Sequence, residues 1–272
     1  MNENIQNKPE EPGTSLPETG ITPQENITVS DAMAGVFTEP GNTFEAVKQS
    51  TKKNYWIVPI IILILISLVA SYLVLHDDEL YSEIKSKQIT AVRERMETAV
   101  KEGKMTQDQM NENMDKMEKG FNRSGPLFIV SSTIGPVVAI FFALFVSGLA
   151  FWGATKLFKG TATYMKVLSV LGLASVIESV QTIINTAMAI FMGRMQANIG
   201  PILLFGKDDL SSSMTQLVSH FDLLNIWFFI IVGIGLAKVS NLKSSATIPV
   251  TFLLWLVWVC ITSFMRLPFF GR

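Results

Sequence analysis

The chain has 272 residues, of which 49% are hydrophobic and 17% charged, below the ~25% of charged residues typical of soluble proteins. Long uncharged runs over 54–76, 124–155 and 244–265 are transmembrane candidates, which excludes an ordinary soluble enzyme. The single cysteine, Cys260, excludes an internal disulfide, and the net charge of −1 gives no electrostatic reason to expect nucleic-acid binding. The composition therefore predicts an integral membrane protein.

The region before the first apolar run divides into two parts. Residues 1–30 are rich in Pro, Glu, Asn and Thr, which predicts a disordered polar tail, and they lack the apolar core of a signal peptide. Residues 31–53 predict an interfacial amphipathic segment with a turn at Pro40-Gly41 and a short helix after it. Phe37, Phe44 and Val47 would enter the headgroup region while the lysines stay in water. An ordinary linker is the alternative.

Five apolar segments are long enough to predict an all-α polytopic transmembrane helix bundle, at about 56–75, 127–153, 164–193, 217–237 and 246–265. Gly135-Pro136 predicts a kink in the second span. Eight lysines lie in short segments on one side of the membrane: Lys48, Lys52, Lys53, Lys156, Lys159, Lys166, Lys238 and Lys243. The positive-inside rule then predicts a cytoplasmic amino terminus and an external carboxyl terminus.

The loop 77–123 predicts an extramembrane helical hairpin between spans 1 and 2. Apolar residues recur at helical spacing over 89–100, Gly103 interrupts the pattern, and Thr106 with Gln109 forms a capping-box pattern. Met110, Met114 and Met117 then share a helix face. These methionines, with Met105 and His76, are candidate soft-metal ligands, but methionines at this spacing more often pack between helices or face a partner protein.

The third span carries a polar stripe that is the candidate intramembrane site. Its members lie within or beside about 80° of helical arc and are Ser175, Glu178, Gln181, Thr182 and Asn185. A carboxyl group in the bilayer is costly, so this face should point into the bundle. Three interpretations stay open: hydrogen bonding between helices, a proton or ion pathway, and a cavity for a lipid headgroup or small polar ligand. His220, Asp222 and Arg266 are possible partners of Glu178.

Small residues predict where helices approach one another closely. The second span has small residues at four-residue spacing: Ala139, Ala143 and Ser147. The fourth span contains Gly233 and Gly235, whose missing side chains leave room for a neighbouring helix. Packing within the chain is favoured over self-association. No nucleotide-binding, metalloprotease or nucleophile-elbow motif occurs, so we predict no catalytic residue, no metal site and no cofactor.

Three stretches resemble Yip1-domain membrane proteins. They are Val36–Phe44 (VFTEPGNTF) followed by Trp56-Ile-Val-Pro59, Lys156–Gly160 (KLFKG) followed by Ala162–Tyr164 and Val167–Val170, and Asp222–Trp227 (DLLNIW) running into Gly233–Ala237. The resemblance implies a five-helix bundle with a cytosolic amino terminus. Eukaryotic members of this family are implicated in vesicle traffic with Rab-type GTPases and with one another. The long 77–123 hairpin and short tail resemble the bacterial branch, which implies the bacterial cytoplasmic (inner) membrane.

Three functions follow as hypotheses. The first is a non-enzymatic membrane organiser or adaptor that acts through the hairpin and the 31–53 segment. The second is a small transporter or channel that uses the Glu178 stripe, although we find no inverted repeat of the kind that many transporters contain. The third is an accessory subunit of a larger membrane complex. The expected partners are membrane lipids and a membrane protein or a second copy of the chain, without nucleic acid.

Overall fold

The computed structural model describes residues 26–123, 125, 128, 130–206 and 212–264. These residues form helices and connecting turns, with no strand among them. The helices are α1 (Val29–Thr38), α2 (Pro40–Gln49), α3 (Ile57–His76), α4 (Asp78–Lys101), α5 (Gln107–Gly120), α6 (Gly135–Leu157), α7 (Tyr164–Met192), α8 (Ser212–Ser219), α9 (Leu223–Ser240) and α10 (Ser244–Phe264). Most of the predicted tail 1–30 lies outside the described residues, as does the end of the predicted fifth span.

Five helices are long and apolar enough to cross a membrane, which confirms the predicted polytopic α-helical bundle. These candidate spans are Ile57–His76, Ser132–Leu157, Tyr164–Met192, Leu223–Ser240 and Ser244–Ile261. Helix α7 is central, because it packs against α3, α6 and α9 and its residues 167–175 are buried on every side. The outward faces of α3, α6 and α10 carry exposed apolar residues such as Leu65, Leu149 and Leu253, as expected of surfaces that contact lipid.

Two span boundaries differ from the prediction. A π-helical turn, Val130–Ile134, precedes α6, and Pro136 lies in the first turn of α6, where its missing N–H costs least. The predicted kink thus coincides with the change from π- to α-helical geometry inside one continuous span. The fourth span begins at Leu223 and not at 217, because Asp222 caps α9 and residues 212–219 form the separate helix α8. A capped turn thus replaces the continuous helix that hydropathy alone suggested.

The prediction of an interfacial anchor over 31–53 is wrong. Helices α1 and α2 pack on the lysine-rich end of the bundle, where Val36, Phe44 and Val47 are fully buried in the main hydrophobic core. Of the predicted anchor residues only Phe37 is exposed, at 41%. The turn also differs, since α2 begins at Pro40 itself. The apolar face of this segment is covered by protein, against α9 and α7, rather than by lipid headgroups.

Hydrogen bonds from side chains to backbone carbonyl groups hold this segment against the bundle. The Lys166 ammonium donates to the carbonyl oxygens of Val47 (2.6 Å), in the last turn of α2, and Ser50 (2.7 Å), its C-cap. The buried Tyr55 hydroxyl donates to Ile27 O at 2.8 Å, which fixes the chain before α1. The two Lys166 bonds satisfy carbonyl groups that the end of α2 leaves unpaired.

The predicted helical hairpin is formed by α4 and α5. Thr106 and Gln109 make the predicted capping box, and Gly103 occupies the left-handed region (φ 71°) at the tip. Met110 and Met114 are buried in the seam against α4, so these two methionines serve packing. At the base, Leu80 is buried in a second, small hydrophobic cluster with Val74, Ala189 and Ala197.

Candidate functional site

The hydroxyl groups of the predicted polar stripe bond within their own helix. Ser175 Oγ donates to Gly172 O (2.6 Å), and Thr182 Oγ1 donates to Glu178 O (2.8 Å). Ser and Thr hydroxyls in helices commonly donate a hydrogen bond to the backbone carbonyl oxygen three or four residues earlier. These hydroxyls therefore do not make the hydrogen bonds between helices that one interpretation of the stripe required.

Glu178 and Gln181 are half-buried on α7, and their side chains make no hydrogen bond with another described residue. The suggested partners do not reach Glu178 in the described structure. Asp222 instead contacts Asn185, and Arg266 lies outside the described residues. The stripe is thus not one connected polar site, because among its described side chains only Asn185 forms a hydrogen bond outside α7.

The link between Asn185 and Asp222 is the centre of a polar cluster. Asn185 Nδ2 donates to Asp222 Oδ2 at 3.1 Å, while Asp222 Oδ1 accepts from the Leu224 N–H at 2.7 Å. Asp222 is only 1% exposed and is the N-cap of α9, where the partial positive charge of the helix end favours a carboxylate. The Asp222 carboxyl group therefore caps the first turn of α9 and also bonds α9 to α7.

A loop after α7 completes this cluster. Asn198, 7% exposed, donates through Nδ2 to Ser219 O at 2.6 Å, and the Leu223 N–H donates to Ile199 O at 3.0 Å. Asn225 Nδ2 donates to His220 O at 2.9 Å from the other side. Three buried polar atoms here have no hydrogen-bond partner among the described residues: Asn185 Oδ1, Asn198 Oδ1 and His220 Nε2.

The electrostatics of the cluster are set by burial. Desolvation lowers the pKa of His220 below its ordinary value of 6.5, which favours the neutral imidazole. Two amide oxygens, one carboxylate and a neutral imidazole can accept hydrogen bonds from water or another small donor. The sequence pointed to Asn185, His220 and Asp222 separately but missed Asn198, because no local pattern marks an asparagine in a connecting loop.

The Arg194 side chain holds the same loop together through hydrogen bonds to its backbone. Its guanidinium is buried and donates to the carbonyl oxygens of Gln196 (3.1 Å), Phe205 (2.8 Å) and Ile202 (2.9 Å). Three charge-assisted bonds to backbone oxygens fold residues 194–205 around one side chain. Arg194 therefore has a structural role that its position near the end of span 3 did not reveal.

The predicted helix-packing residues separate into two groups. A Cβ on Gly233 would come within 2.7 Å of Ile248, and one on Gly235 would meet Val170 and Phe44, so both glycines allow close packing inside the chain. Ala139 and Ala143 are exposed on α6, and Ser147 is half-buried with its hydroxyl bonded to Leu144 O. The preference for packing within the chain is thus corrected for the α6 stripe.

Within the described ranges, no group of three or more His, Cys, Asp or Glu side chains is arranged to hold a metal ion. The described structure therefore offers no metal centre from which to derive chemistry.

Comparison with known proteins identifies the family. The Yip1 domain model matches residues 34–265, most of the chain. A curated relative is membrane protein YknW of Bacillus subtilis (strain 168), 27% identical over 112 residues, which cover 41% of this chain and 48% of the relative. The chain thus spans about half the length of that relative, and no solved structure matches. With a family model over most of its length, the chain belongs to the Yip1 domain family of membrane proteins.

Proposed function

We propose that this protein is a non-enzymatic membrane organiser or adaptor that contacts another membrane protein through the α4–α5 hairpin. Its membrane is the bacterial cytoplasmic membrane, with the lysine-rich end of the bundle in the cytoplasm and the hairpin outside. The observation that carries this proposal is the construction of the hairpin. It is a charged two-helix element, stabilised by its own seam, that extends from an otherwise apolar bundle.

The surface of the hairpin is suited to a protein partner. Its exposed ion pairs, including Lys116–Glu112 (2.6 Å) and Lys119–Asp115 (2.6 Å), lie along one helix and are accessible. Exposed pairs of this kind contribute little to stability, because water and salt screen the two charges. Charged positions that do little for the fold are available for steering and recognising a partner.

The base of the hairpin is fixed to the bundle. Glu83 Oε2 accepts from the Met195 N–H at 3.3 Å, and the Lys87 ammonium donates to Gln196 Oε1 at 3.0 Å. Tyr81 also donates to Phe121 O at 2.8 Å, which closes the two ends of the hairpin on each other. A change confined to the tip should therefore leave the membrane bundle folded.

The test is capture of the tagged protein from native membranes in mild detergent. The variant replaces residues 97–114 with a short Gly-Asn-Gly turn and keeps the base contacts. We expect a stoichiometric partner with the wild type and its loss with the variant, while both proteins elute as monodisperse particles of unchanged melting temperature. Deleting 31–53 is not a useful variant, because Phe44 and Val47 are part of the core.

Retention of every partner by a folded tip variant would reject the hairpin as the contact surface. A single chain without partner proteins in the wild-type sample would reject both the adaptor and the accessory-subunit hypotheses. A second copy of this chain as the captured partner would instead favour self-association, for which the exposed Ala139 and Ala143 face of α6 is available.

A transporter or channel is the alternative function, favoured by the half-buried Glu178 carboxyl with no hydrogen bond to described residues. A carboxyl group in a membrane bundle is a default candidate for proton or ion coupling. In that case Glu178→Gln in liposomes should abolish a proton- or ion-coupled flux without unfolding the protein. If Glu178→Gln leaves every measured flux unchanged, Glu178 is a packing residue.

A further inference from the structure

The loop that follows α7, residues 194–206, turns back into the bundle after the helix ends. Helix α7 runs to Met192, but Asp222, the N-cap of α9, bonds to Asn185. Asn185 lies about two turns before the end of α7, which is ~10 Å along the helix axis. The start of α9 is therefore set back from the end of α7 by this distance, and the chain between the two helices has to cover it.

The innermost part of the loop lies beside the start of α9. The Leu223 N–H donates to Ile199 O at 3.0 Å. Gly200 lies so close to the Phe221 carbonyl oxygen that a Cβ atom on residue 200 would collide with it. Residues 199 and 200 are thus at the level at which Asn185 bonds to the N-cap of α9, below the end of α7.

Helix α3 gives the depth of this loop in the bilayer. It runs over Ile57–His76, 20 apolar residues that match the ~30 Å thickness of the hydrocarbon. Val74, near its outer end, is buried in one cluster with Ala189 of α7 and Ala197 of the loop. Asn185 is one turn deeper than Ala189, about 6 Å. The innermost part of the loop therefore lies within the hydrocarbon depth of the leaflet on the hairpin side.

The backbone of the loop is bonded within the protein. The Arg194 guanidinium donates to the carbonyl oxygens of Ile202 and Phe205, so the loop returns to the residue at which it began. The Leu203 N–H donates to Gly200 O at 3.1 Å, and the Phe205 N–H donates to Ile202 O at 3.3 Å. At membrane depth, non-helical backbone is found only where the protein satisfies its polar groups in this way.

The side chains of this loop form an apolar surface. No charged residue occurs in 195–206. Leu204 is 84% exposed, and Leu203 and Phe191, in the last turn of α7, are exposed as well. Exposed apolar patches mark membrane or protein interaction sites, and this one adjoins the end of a membrane span. Continuity with a span, at membrane depth, favours lipid as the partner of this surface.

We propose that residues 194–206 form a re-entrant loop that places Leu203 and Leu204 among the lipid acyl chains of the leaflet on the hairpin side. The backbone stays bonded to protein, and the two leucine side chains make the lipid contact. Because 195–206 carries no charge, the loop contacts the hydrocarbon part of the lipid and not its headgroup. This contact is independent of the hairpin and of any protein that binds there.

The experiment places a fluorescent probe on the loop of the purified full chain in phosphatidylcholine nanodiscs. In a Cys260→Ala background, Leu204→Cys carries nitrobenzoxadiazole, and phosphatidylcholine with a spin label near the top of its acyl chain is the quencher. Two matched variants are Leu65→Cys, on the lipid-facing side of α3, and Lys104→Cys, on the hairpin tip. We expect blue-shifted emission and quenching at Leu204→Cys, as at Leu65→Cys, and neither at Lys104→Cys.

A second measurement removes any influence of the fluorophore itself. Unlabelled Leu204→Cys in the same nanodiscs should react with a membrane-impermeant maleimide more slowly than Lys104→Cys, because a thiol in hydrocarbon meets neither water nor the reagent. Unchanged melting temperatures establish that the variants are folded. Equal reaction rates, or slow reaction without quenching by the spin-labelled lipid, would overturn the proposal, since the loop would then lie in water or be covered by protein.

Discussion

At the scale of single residues, the contact between α9 and α10 depends on a glycine. The buried Thr247 Oγ1 donates to Gly233 O at 2.7 Å, a bond that brings the two backbones together. A Cβ on Gly233 would come within 2.9 Å of Ile248 Cα, which is backbone and cannot rotate away. Close approach of membrane helices at small residues adds van der Waals contact and this interhelical hydrogen bond.

We therefore expect Gly233→Ala to destabilise the protein by about 1–3 kcal/mol, the usual cost of overpacking. In an open helical position the same change is favourable by roughly 0.5–1 kcal/mol. Gly153→Ala on α6 is the matched control, because a Cβ there meets no atom within 4 Å. Thermal melting in detergent should rank the three proteins with Gly233→Ala lowest, and an unchanged melting temperature for that variant would refute the tight contact.

His220 makes stability depend on pH. Its pKa is lowered by burial, so between the folded and unfolded pKa values the unfolded chain binds more protons than the folded one. Stability from the neutral imidazole is thus fully present above the ordinary pKa of 6.5 and is lost as pH falls from there through the lower pKa of the folded chain. Asp222, two residues on, is the carboxyl group of the same turn.

We expect the melting temperature of the wild type to fall from pH 7.5 to pH 5.5 by more than that of His220→Gln. The comparison isolates His220, because all other titrating groups are common to both proteins. Parallel pH profiles for the two proteins would show that the His220 ring is equally solvated in the folded and unfolded chain.

At the scale of elements, α2 belongs to the bundle although it precedes the first span. Its Phe44 is fully buried, and Phe44→Ala should cost about 3–5 kcal/mol, whereas Phe37→Ala at an exposed site of α1 should cost less than ~1 kcal/mol. If the segment were an interfacial anchor, both variants would lose a similar and small amount of folding stability. Chemical or thermal unfolding of both variants in the same detergent distinguishes these outcomes.

Elements defined by local rules were predictable from sequence. A span needs only about 20 apolar residues, and the hairpin was visible from Gly103 and the Thr106–Gln109 capping box. The burial of α1 and α2 was not predictable, because a short amphipathic helix has the same sequence pattern whether lipid or protein covers its apolar face. The polar cluster was only partly visible, since Asn185, Asn198 and Asp222 meet through tertiary contacts and not through spacing.

At the scale of the whole molecule, charge and structure divide the bundle into two different ends. One end carries the lysines that lie in or beside the ends of α2, α3, α6, α7, α9 and α10, and α1 and α2 pack against it. The opposite end carries the hairpin, the Arg194 loop and the Asn185–Asp222 cluster. In the proposed orientation, the lysine-rich end lies in a cytoplasmic leaflet rich in anionic lipid, and the other end faces outward.

This orientation predicts the result of cysteine labelling in intact cells. In a Cys260→Ala background, a cysteine at Lys104, on the hairpin tip, should react with a membrane-impermeant maleimide without lysis. A cysteine at Lys53 should react only after the membrane is opened. Both positions are exposed in the folded chain, so a difference between them reports the side of the membrane and not burial. The reverse pattern would place the hairpin, and any partner it contacts, in the cytoplasm.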